Sequence, residues 1–233
     1  MSSPSLDLVL QNPTIWRGSQ YAKVSVDSVP TGFGELDALL PGEGWPRATL
    51  TELLSAQQGI GELRLLAPAL ARLSQGQGWI VLVAPPHVPY APAFESLGVD
   101  LARLIVVNTK SDAEASWATE RCMRSGACAA VLAWPRGHEE RAIRRLQLAI
   151  EAGKGFGVLF GSTRFAAQPS PAPLRLQLSA ARNRLDVQIL KRRGGGWAPP
   201  LSLELDHARS RRPHLVDIVR PVSHLRRIHH GVA

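Results

Sequence analysis

Two glycines, Gly59 and Gly61, follow an apolar run and precede a helical pattern, which is the usual setting of a phosphate-binding loop. That loop needs a glycine, four residues, a second glycine, a lysine and a hydroxyl residue. Its glycines let backbone N–H groups wrap the phosphates, its lysine neutralises the outer phosphates, and its hydroxyl binds magnesium. When Gly61 is the second glycine, the other three places hold Ala56, Glu62 and Leu63. This register therefore lacks the phosphate chemistry.

The alternative register also fails. When Gly59 is the second glycine, Leu54, Ile60 and Gly61 replace the first glycine, the lysine and the hydroxyl residue. A carboxylate at Glu62 would repel a triphosphate, although it suits the positive N-terminal end of the following helix. We hypothesise that Glu62 supplies internally the negative charge that a phosphate would supply. The degenerate loop thus predicts no bound nucleotide cofactor.

Charge is distributed unevenly along the 233 residues, whose formal net charge is +8. Residues 1–120 hold 7 Lys/Arg and 12 Asp/Glu, a net of −5, whereas residues 121–233 hold 20 and 7, a net of +13. A basic half indicates an anionic partner, either nucleic acid or an acidic protein surface. The composition is otherwise that of an ordinary globular protein.

No apolar run is long enough to span a membrane, and the first residues lack the basic start and apolar stretch of a secretion signal. Cys122 and Cys128 fall in different predicted elements and are interpreted as buried reduced thiols, not a disulfide or metal site. His87 and His138 stand in loops and are expected to be solvated. His229 and His230 have no acid or cysteine beside them, so we predict no metal site. These features together favour a cytoplasmic protein.

The elements alternate between strand and helix, which predicts a parallel sheet covered by helices on both faces. Predicted strands are 49–54, 79–85, 104–108, 127–134 and 156–162. Predicted helices are 5–11, 34–40, 91–99, 112–126 and 138–155, with another that begins at Glu62 and ends by Gly76. Beyond a flexible loop at 165–173, the segments 174–179, 184–191 and 200–205 alternate apolar and polar residues. They predict antiparallel strands at one edge, joined by a long turn, RRGGGWAPP, before the last of them.

This order of elements resembles the RecA-type core. Residues 30–40, 95–108 and 186–205 are similar to the text before the RecA nucleotide loop, after its second core strand and in its terminal hairpin. Residues 40–73 resemble one family more closely: ImuA, the RecA-like protein of bacterial translesion-synthesis cassettes. The resemblance covers roughly residues 10 to 206. It implies an α/β fold, a RecA-like three-layer α-β-α core with a mostly parallel sheet, antiparallel C-terminal strands and a degenerate P-loop.

The resemblance also implies domains and partners. An N-terminal extension of 1–29, a core of 30–206 and a basic tail of 207–233 are expected. The family implies an SOS-induced protein that acts with ImuB, a polymerase-like scaffold, and an error-prone C-family DNA polymerase. Residues 6–29 resemble the segment by which RecA subunits join, so a homo-oligomer stays open.

Two further catalytic parts of RecA are missing. The strand that should end in a magnesium-holding aspartate ends in Ala133 and Trp134, and the strand that should lead to a glutamate ends in Ala84, Pro85 and Pro86. Three losses together make ATP hydrolysis improbable and predict that the chain is not an enzyme. The alternatives are an inhibitor of cell division that resembles SulA and binds FtsZ, and an atypical ATPase.

Basic residues are the candidate contacts. Lys191 and Arg193 match positions that face a neighbouring subunit's nucleotide in RecA filaments, so we hypothesise docking on an active RecA subunit; the plain alternative is a solvated hairpin. Candidate DNA or partner contacts are Arg141, Arg144, Arg145, Arg182, Arg184 and Arg192, and in the tail Arg209, Arg211, Arg212, Arg226 and Arg227.

Aromatic residues and the tail complete the candidates. Trp134 and Trp197 flank basic segments and are candidates to stack on bases, whereas Trp16 and Trp45 are expected in a core or interface. The loops that hold DNA in RecA are shortened here to WPRGHEE and FAAQPSPAP, which favours weak, salt-sensitive DNA binding. The tail mixes apolar residues with arginines, so it either binds ImuB or packs on its own domain.

Overall fold

A computed structural model describes residues 27–182, 184–194 and 196–205. Its strands are β1 (Ser28–Val29), β2 (Trp45–Pro46), β3 (Thr49–Ser55), β4 (Trp79–Val83), β5 (Leu104–Val107), β6 (Cys128–Ala133), β7 (Phe156–Ser162), β8 (Leu174–Ala181), β9 (Arg184–Lys191) and β10 (Leu201–Leu203). Its α-helices are α1 (Gly34–Asp37), α2 (Glu62–Ser74), α3 (Ala91–Ser96), α4 (Asp112–Arg124) and α5 (Glu140–Gly153), with 3-10 turns at Leu101–Arg103 and Thr163–Phe165.

A central sheet carries the fold. Its described strands lie in the order β10-β9-β8-β3-β7-β6-β4-β5, and all neighbours from β8 to β5 are parallel. The continuous apolar runs form its interior: five consecutive residues of β3 and five of β7 are buried. Strands that are covered on both faces need apolar residues at every position, so the prediction of a parallel sheet is confirmed.

Helices cover both faces of this sheet. Leu65 and Leu70 of α2 and Phe94 of α3 belong to one apolar cluster with one face. Ile143 and Ile150 of α5, with residues of α4, belong to a second cluster on the other face. The described chain is therefore a three-layer α-β-α fold of RecA-like type, as predicted.

The last three strands extend the sheet on the side of β3. β9 pairs antiparallel with β8, and β10 pairs antiparallel with β9, as their alternating patterns predict. β8 itself differs from the prediction, because it lies beside β3 in parallel orientation. The first three residues of β8, Leu174, Arg175 and Leu176, are buried without alternation, and a position next to the central strand explains that pattern.

Other differences are local. A two-stranded sheet pairs β1 with β2 and had no sequence signal, because each strand has two residues. Trp45 of β2 is fully buried and stacks on Phe156 with ring centroids 5.9 Å apart, which confirms it as a core residue. Predicted helix 5–11, Trp16 and the tail lie outside the described residues. Within the described ranges, no helix has the length and apolarity to cross a bilayer.

Candidate functional site

The loop between β3 and α2 holds its own carboxylate. Gly59 N–H donates to Glu62 Oε1 at 2.7 Å, and Gly61 N–H donates to Glu62 Oε2 at 3.1 Å. The two glycines have φ of 76° and 116°, a left-handed conformation that side chains disfavour and that turns their N–H groups inward. Such N–H groups at the start of a helix attract an anion. Here the anion is the first residue of α2, and it is buried.

Leu205, which lies two residues after β10, covers the same loop. A Cβ atom placed on Gly61 would lie only 2.4 Å from Leu205 Cδ1, so the side chain rests directly on the glycine. Arg64 Nη2, in the first turn of α2, donates to the Leu205 carbonyl oxygen at 2.9 Å. Leu205 is buried as a result. The sequence carries no signal for this contact, which joins residues 141 positions apart.

The strand ends beside this loop carry no acid. β4 ends at Val83 and leads into Ala84, while β6 ends at Ala133 and leads into Trp134. Trp134 stacks on Phe160 of β7, with ring centroids 4.4 Å apart and planes 9° apart. An aromatic contact therefore stands where a RecA-like ATPase would hold magnesium, and the prediction of Trp134 as a free base-stacking surface is not favoured by its position.

A second buried carboxylate, that of Glu52, lies in the middle of β3. Glu52 Oε2 accepts from Arg175 Nε at 2.6 Å, and Glu52 Oε1 accepts from His138 Nε2 and from Ser170 Oγ, each at 2.9 Å. The side chains of Glu52, Arg175 and His138 are 2%, 6% and 7% exposed. We call these four residues the clasp. A charge buried so deeply needs a counter-charge and hydrogen-bond donors, and the clasp supplies both.

The clasp joins two loops. His138 belongs to the loop between β6 and α5, and its ring stacks on Phe165, which opens the loop before β8, at 4.8 Å. Arg175 also donates to backbone carbonyls of that second loop, at Phe165, Ala166 and Gln168. The expectation of a solvated His138 is wrong, because the buried Glu52 holds the imidazole inside the protein.

A cavity of about 480 Å³ opens between α4, α5 and the clasp. Trp134, Phe160 and Phe165 are among its walls, and Arg136 and Arg145 are among its charged lining residues. Among the described residues, no cluster of three or more His, Cys, Asp or Glu side chains could hold a metal ion. Glu52, Asp112 and Glu139 also line it, so the cavity has aromatic walls with charges of both signs.

The predicted basic contacts separate into two kinds. Arg141 and Arg144 are exposed on α5, and Arg182 and Arg193 are exposed in the β8–β9 turn and beyond β9. The other described candidates are paired within the chain, although Arg145, Arg184 and Lys191 are exposed as well. Arg145 pairs with Glu120 at 3.2 Å, Arg184 pairs with Glu204 at 3.2 Å, Lys191 Nζ donates to the Ser170 carbonyl at 2.7 Å, and Arg192 donates to the carbonyls of Leu39 and Gly196.

The hydrogen bond from Arg192 to the Leu39 carbonyl gives Arg192 a structural role, because it joins the turn after β9 to the segment just after α1. Trp197 in the same turn is 83% exposed and keeps a free aromatic face. The arginines of the tail lie beyond the residues that the structure describes.

Comparisons with known proteins find relatives of RecA-like type. No family model matches the chain. Protein ImuA of Caulobacter vibrioides is 31% identical over 198 residues, covering 71% of this chain and 80% of that protein. Protein RecA of Thermus aquaticus is 31% identical over 113 residues, covering 48% of this chain and 33% of that protein. The cell division inhibitor SulA of Edwardsiella piscicida is 32% identical over 106 residues, covering 45% and 61%. The ImuA match extends over most of both proteins, and the chain belongs to the ImuA family.

Proposed function

We propose that this chain is a non-catalytic RecA-like adaptor in DNA-damage-induced mutagenesis, part of a translesion-synthesis complex in the cytoplasm. The observation that carries the proposal is the loop after β3, where the Glu62 carboxylate takes the N–H groups of Gly59 and Gly61. Because a carboxylate of the protein itself occupies this loop, we infer that the protein acts through contacts made by its surface. Membership of the ImuA family supports the same role.

Nucleotide chemistry has little support in this loop. A phosphate would have to displace Glu62, and no lysine follows either glycine of the loop to neutralise it. Exposing a buried leucine such as Leu205 to make room would cost roughly 1.5–3 kcal/mol. Neither β4 nor β6 ends in a carboxylate that could hold magnesium or activate the attacking water.

Partner binding falls to the exposed basic residues. Arg141 and Arg144 stand three positions apart on the outer face of α5, so they present two cations to the same partner. An ImuB-like polymerase homologue is the proposed partner of this face, with an error-prone C-family DNA polymerase in the same complex. A second copy of this chain is proposed as a further partner.

DNA binding is proposed to be weak and salt-sensitive. The two loops that hold DNA in RecA correspond to 134–140 and 165–173, and the clasp fastens them to each other. Loops held by a buried carboxylate do not open easily around a strand. Phosphate contacts by the exposed arginines would then supply the affinity, and that affinity falls steeply with salt.

We also propose that the turn after β9 contacts a RecA filament. Arg193 is exposed there, whereas Lys191 already donates to the Ser170 carbonyl. Arg193→Glu is therefore expected to weaken binding to a RecA–single-stranded DNA filament, with Lys191→Glu adding less. Unchanged filament binding by the double variant would remove this surface from the proposal.

Co-purification tests the adaptor role. The full chain, tagged, is expected to retain the ImuB-like protein of the same organism, and Arg141→Glu with Arg144→Glu is expected to abolish retention. Arg72→Glu is the matched control, because it reverses an exposed charge near the end of α2, in the helical layer on the opposite face of the sheet. Failure of the unmodified chain to retain that protein would overturn the adaptor proposal.

Two assays separate the alternatives. A SulA-like inhibitor would block FtsZ polymerisation, which light scattering follows directly, and the similarity to SulA over 106 residues is the observation that keeps this candidate. An atypical ATPase would release phosphate with or without single-stranded DNA. The adaptor proposal expects no effect in either assay.

A further inference from the structure

The cavity between α4, α5 and the clasp lies at the carboxyl ends of the parallel strands. Val83 and Ala133 are the last residues of β4 and β6, and both line it. Ligands of open α/β sheets bind at this end of the strands. The volume of about 480 Å³ falls within the range of roughly 300–1,000 Å³ that is usual for ligand pockets. Position and size therefore indicate a binding site.

Two stacked aromatic pairs line this cavity. Trp134 stacks on Phe160 with ring centroids 4.4 Å apart, and His138 stacks on Phe165 at 4.8 Å. Contacts between aromatic rings are more favourable than the buried area alone explains. The lining thus favours a ring over an aliphatic chain as the bound group.

The clasp fixes one of these walls in advance. Glu52 holds His138 through a hydrogen bond of 2.9 Å, and Arg175 Nη2 donates to the Phe165 carbonyl at 2.9 Å. Glu52 also lines the cavity, but Arg175 neutralises its charge at 2.6 Å. A pocket that is already ordered loses less conformational freedom on binding. The clasp therefore gives the cavity a fixed shape and weakens the repulsion between its carboxylate and an acidic ligand.

The solvent-exposed part of the cavity carries an ion pair that a ligand can replace. Arg136 Nε lies 3.6 Å from Asp112 Oδ1, and the two side chains are 85% and 63% exposed. An exposed pair of this kind contributes little to stability, so a ligand carboxylate can take the place of Asp112. Asp112 stays in a favourable position without Arg136, because it lies in the first turn of α4. Arg136 is therefore suited to bind an acidic group.

The exposed faces of α4 and α5 add apolar and basic residues to the surface around the cavity. Trp117 and Leu148 are 56% and 57% exposed, and the Arg121 guanidinium lies 5.7 Å from the centre of the Trp117 ring. Arg141 and Arg144 are exposed and form no ion pair among the residues that the structure describes. Tryptophan and arginine are the residues that protein interfaces use most. A protein segment can use this whole surface, whereas a small molecule uses the cavity alone.

Acidic side chains also occur on this face, but they oppose an acidic partner only weakly. Glu120 pairs with Arg124 at 3.1 Å and with Arg145 at 3.2 Å. Glu139, which lines the cavity, and Glu140 lie at the start of α5, where the helix dipole partly offsets their charge. The unpaired arginines of α5 therefore set the electrostatic preference of the face.

We propose that the cavity binds an aromatic side chain of a partner protein, in a segment where acidic residues flank that side chain. The ring packs against the aromatic walls, a flanking carboxylate binds Arg136, and the next acids of the segment face Arg141 and Arg144. This site depends on the proposed adaptor function, since the same face of α5 is the partner face there. It adds the chemistry by which the partner segment is recognised.

Titration of the isotope-labelled, full-length protein with two blocked peptides, Glu-Asp-Phe-Glu-Asp and Glu-Asp-Ala-Glu-Asp, tests the site by nuclear magnetic resonance. We expect the phenylalanine peptide to move the amide signals of Gly137 and Ala142, which line the cavity. It should bind at least about tenfold tighter than the alanine peptide, because burial of the ring supplies that factor. Equal affinities, or shifts that avoid these amides, would overturn the proposal. Shifts caused by oligothymidylate and not by the peptide would overturn it as well, because the cavity would then bind a nucleobase.

Two variants locate the binding. Ala142→Phe places a ring inside the cavity and is expected to remove the preference for the phenylalanine peptide. Ala152→Phe is the matched control, because Ala152 is exposed near the end of the same helix. Arg136→Glu changes an exposed side chain, so the fold is kept, and it should weaken binding of the phenylalanine peptide by roughly fivefold. A preserved preference in a folded Ala142→Phe, or unchanged affinity in Arg136→Glu, would contradict the site.

Retention of the ImuB-like protein separates this site from the adaptor function. We expect Ala142→Phe to lose the retention that the unmodified chain and Ala152→Phe show. Retention by all three proteins would overturn the cavity proposal and leave the adaptor function standing. Failure of the unmodified chain to retain the protein, with the phenylalanine peptide still bound at the cavity, would overturn the adaptor function and leave the cavity as a site for another acidic segment.

Discussion

The loop after β3 and the two loops joined by the clasp both hold a buried carboxylate, but they recruit its partners from different distances. Glu62 binds N–H groups one and three positions away. Glu52 binds His138, Ser170 and Arg175, which are 86, 118 and 123 positions away. The first arrangement replaces a ligand locally. The second fixes the positions of β3, β8 and two loops, so its loss should damage far more of the fold.

The largest expected effect comes from the clasp. Glu52→Gln keeps the shape of the side chain but leaves the buried Arg175 without a counter-charge. Breaking a buried ion pair from one side typically costs about 3–5 kcal/mol in the free energy of unfolding. Urea denaturation followed by tryptophan fluorescence measures this loss. Glu43→Gln is the control, because Glu43 is exposed, and we expect it to change stability by less than about 0.5 kcal/mol. A loss below about 1 kcal/mol for Glu52→Gln would remove the contrast with the local loop.

The next effect belongs to the cover of the phosphate loop. Leu205→Ala removes the side chain that rests on Gly61, and truncating a buried leucine costs about 2 kcal/mol at the low end of the usual range. The low end applies because Leu205 is 7% exposed. Val88→Ala is the control, since Val88 is 94% exposed. Equal urea midpoints for the two variants would mean that Leu205 contributes nothing to closing the loop.

A smaller effect is expected at Glu62 itself. Glu62→Gln keeps an acceptor oxygen for one glycine N–H but loses the charge that favours the start of α2. The expected loss is about 1 kcal/mol. Hydrogen exchange should become faster at the amides of Gly59 and Gly61, and Glu95→Gln, at an exposed site in α3, should leave them unchanged. Unaltered exchange at both glycines in Glu62→Gln would contradict the internal replacement of a phosphate.

The separation along the sequence between residues in contact explains which features could be predicted from the sequence. Apolar runs gave the central strands within about one or two residues, because a strand buried on both faces must be apolar throughout. The position of Glu62 after two glycines was enough to raise the idea of an internal anion. His138 and Arg175 looked like ordinary polar residues, since nothing local marks a partner 86 or 123 positions away. The cover by Leu205 was missed for the same reason.

The smallest expected effect is that of nucleotide on the melting temperature. A ligand at a hundred times its Kd adds about 2.7 kcal/mol to stability, which a thermal scan detects easily. We expect Mg-ATP to add nothing to the unmodified chain or to Glu62→Gln, because neither has the loop lysine or the acids at the ends of β4 and β6. RecA in the same buffer is the positive control. Protection of the unmodified chain would show that Glu62 yields to a phosphate. Protection of Leu205→Ala alone would show that the Leu205 side chain, and not the Glu62 carboxylate, keeps a phosphate out of the loop. Either result would show a phosphate site in this loop, and only the second would show that Leu205, two residues after β10, keeps it closed in the unmodified chain.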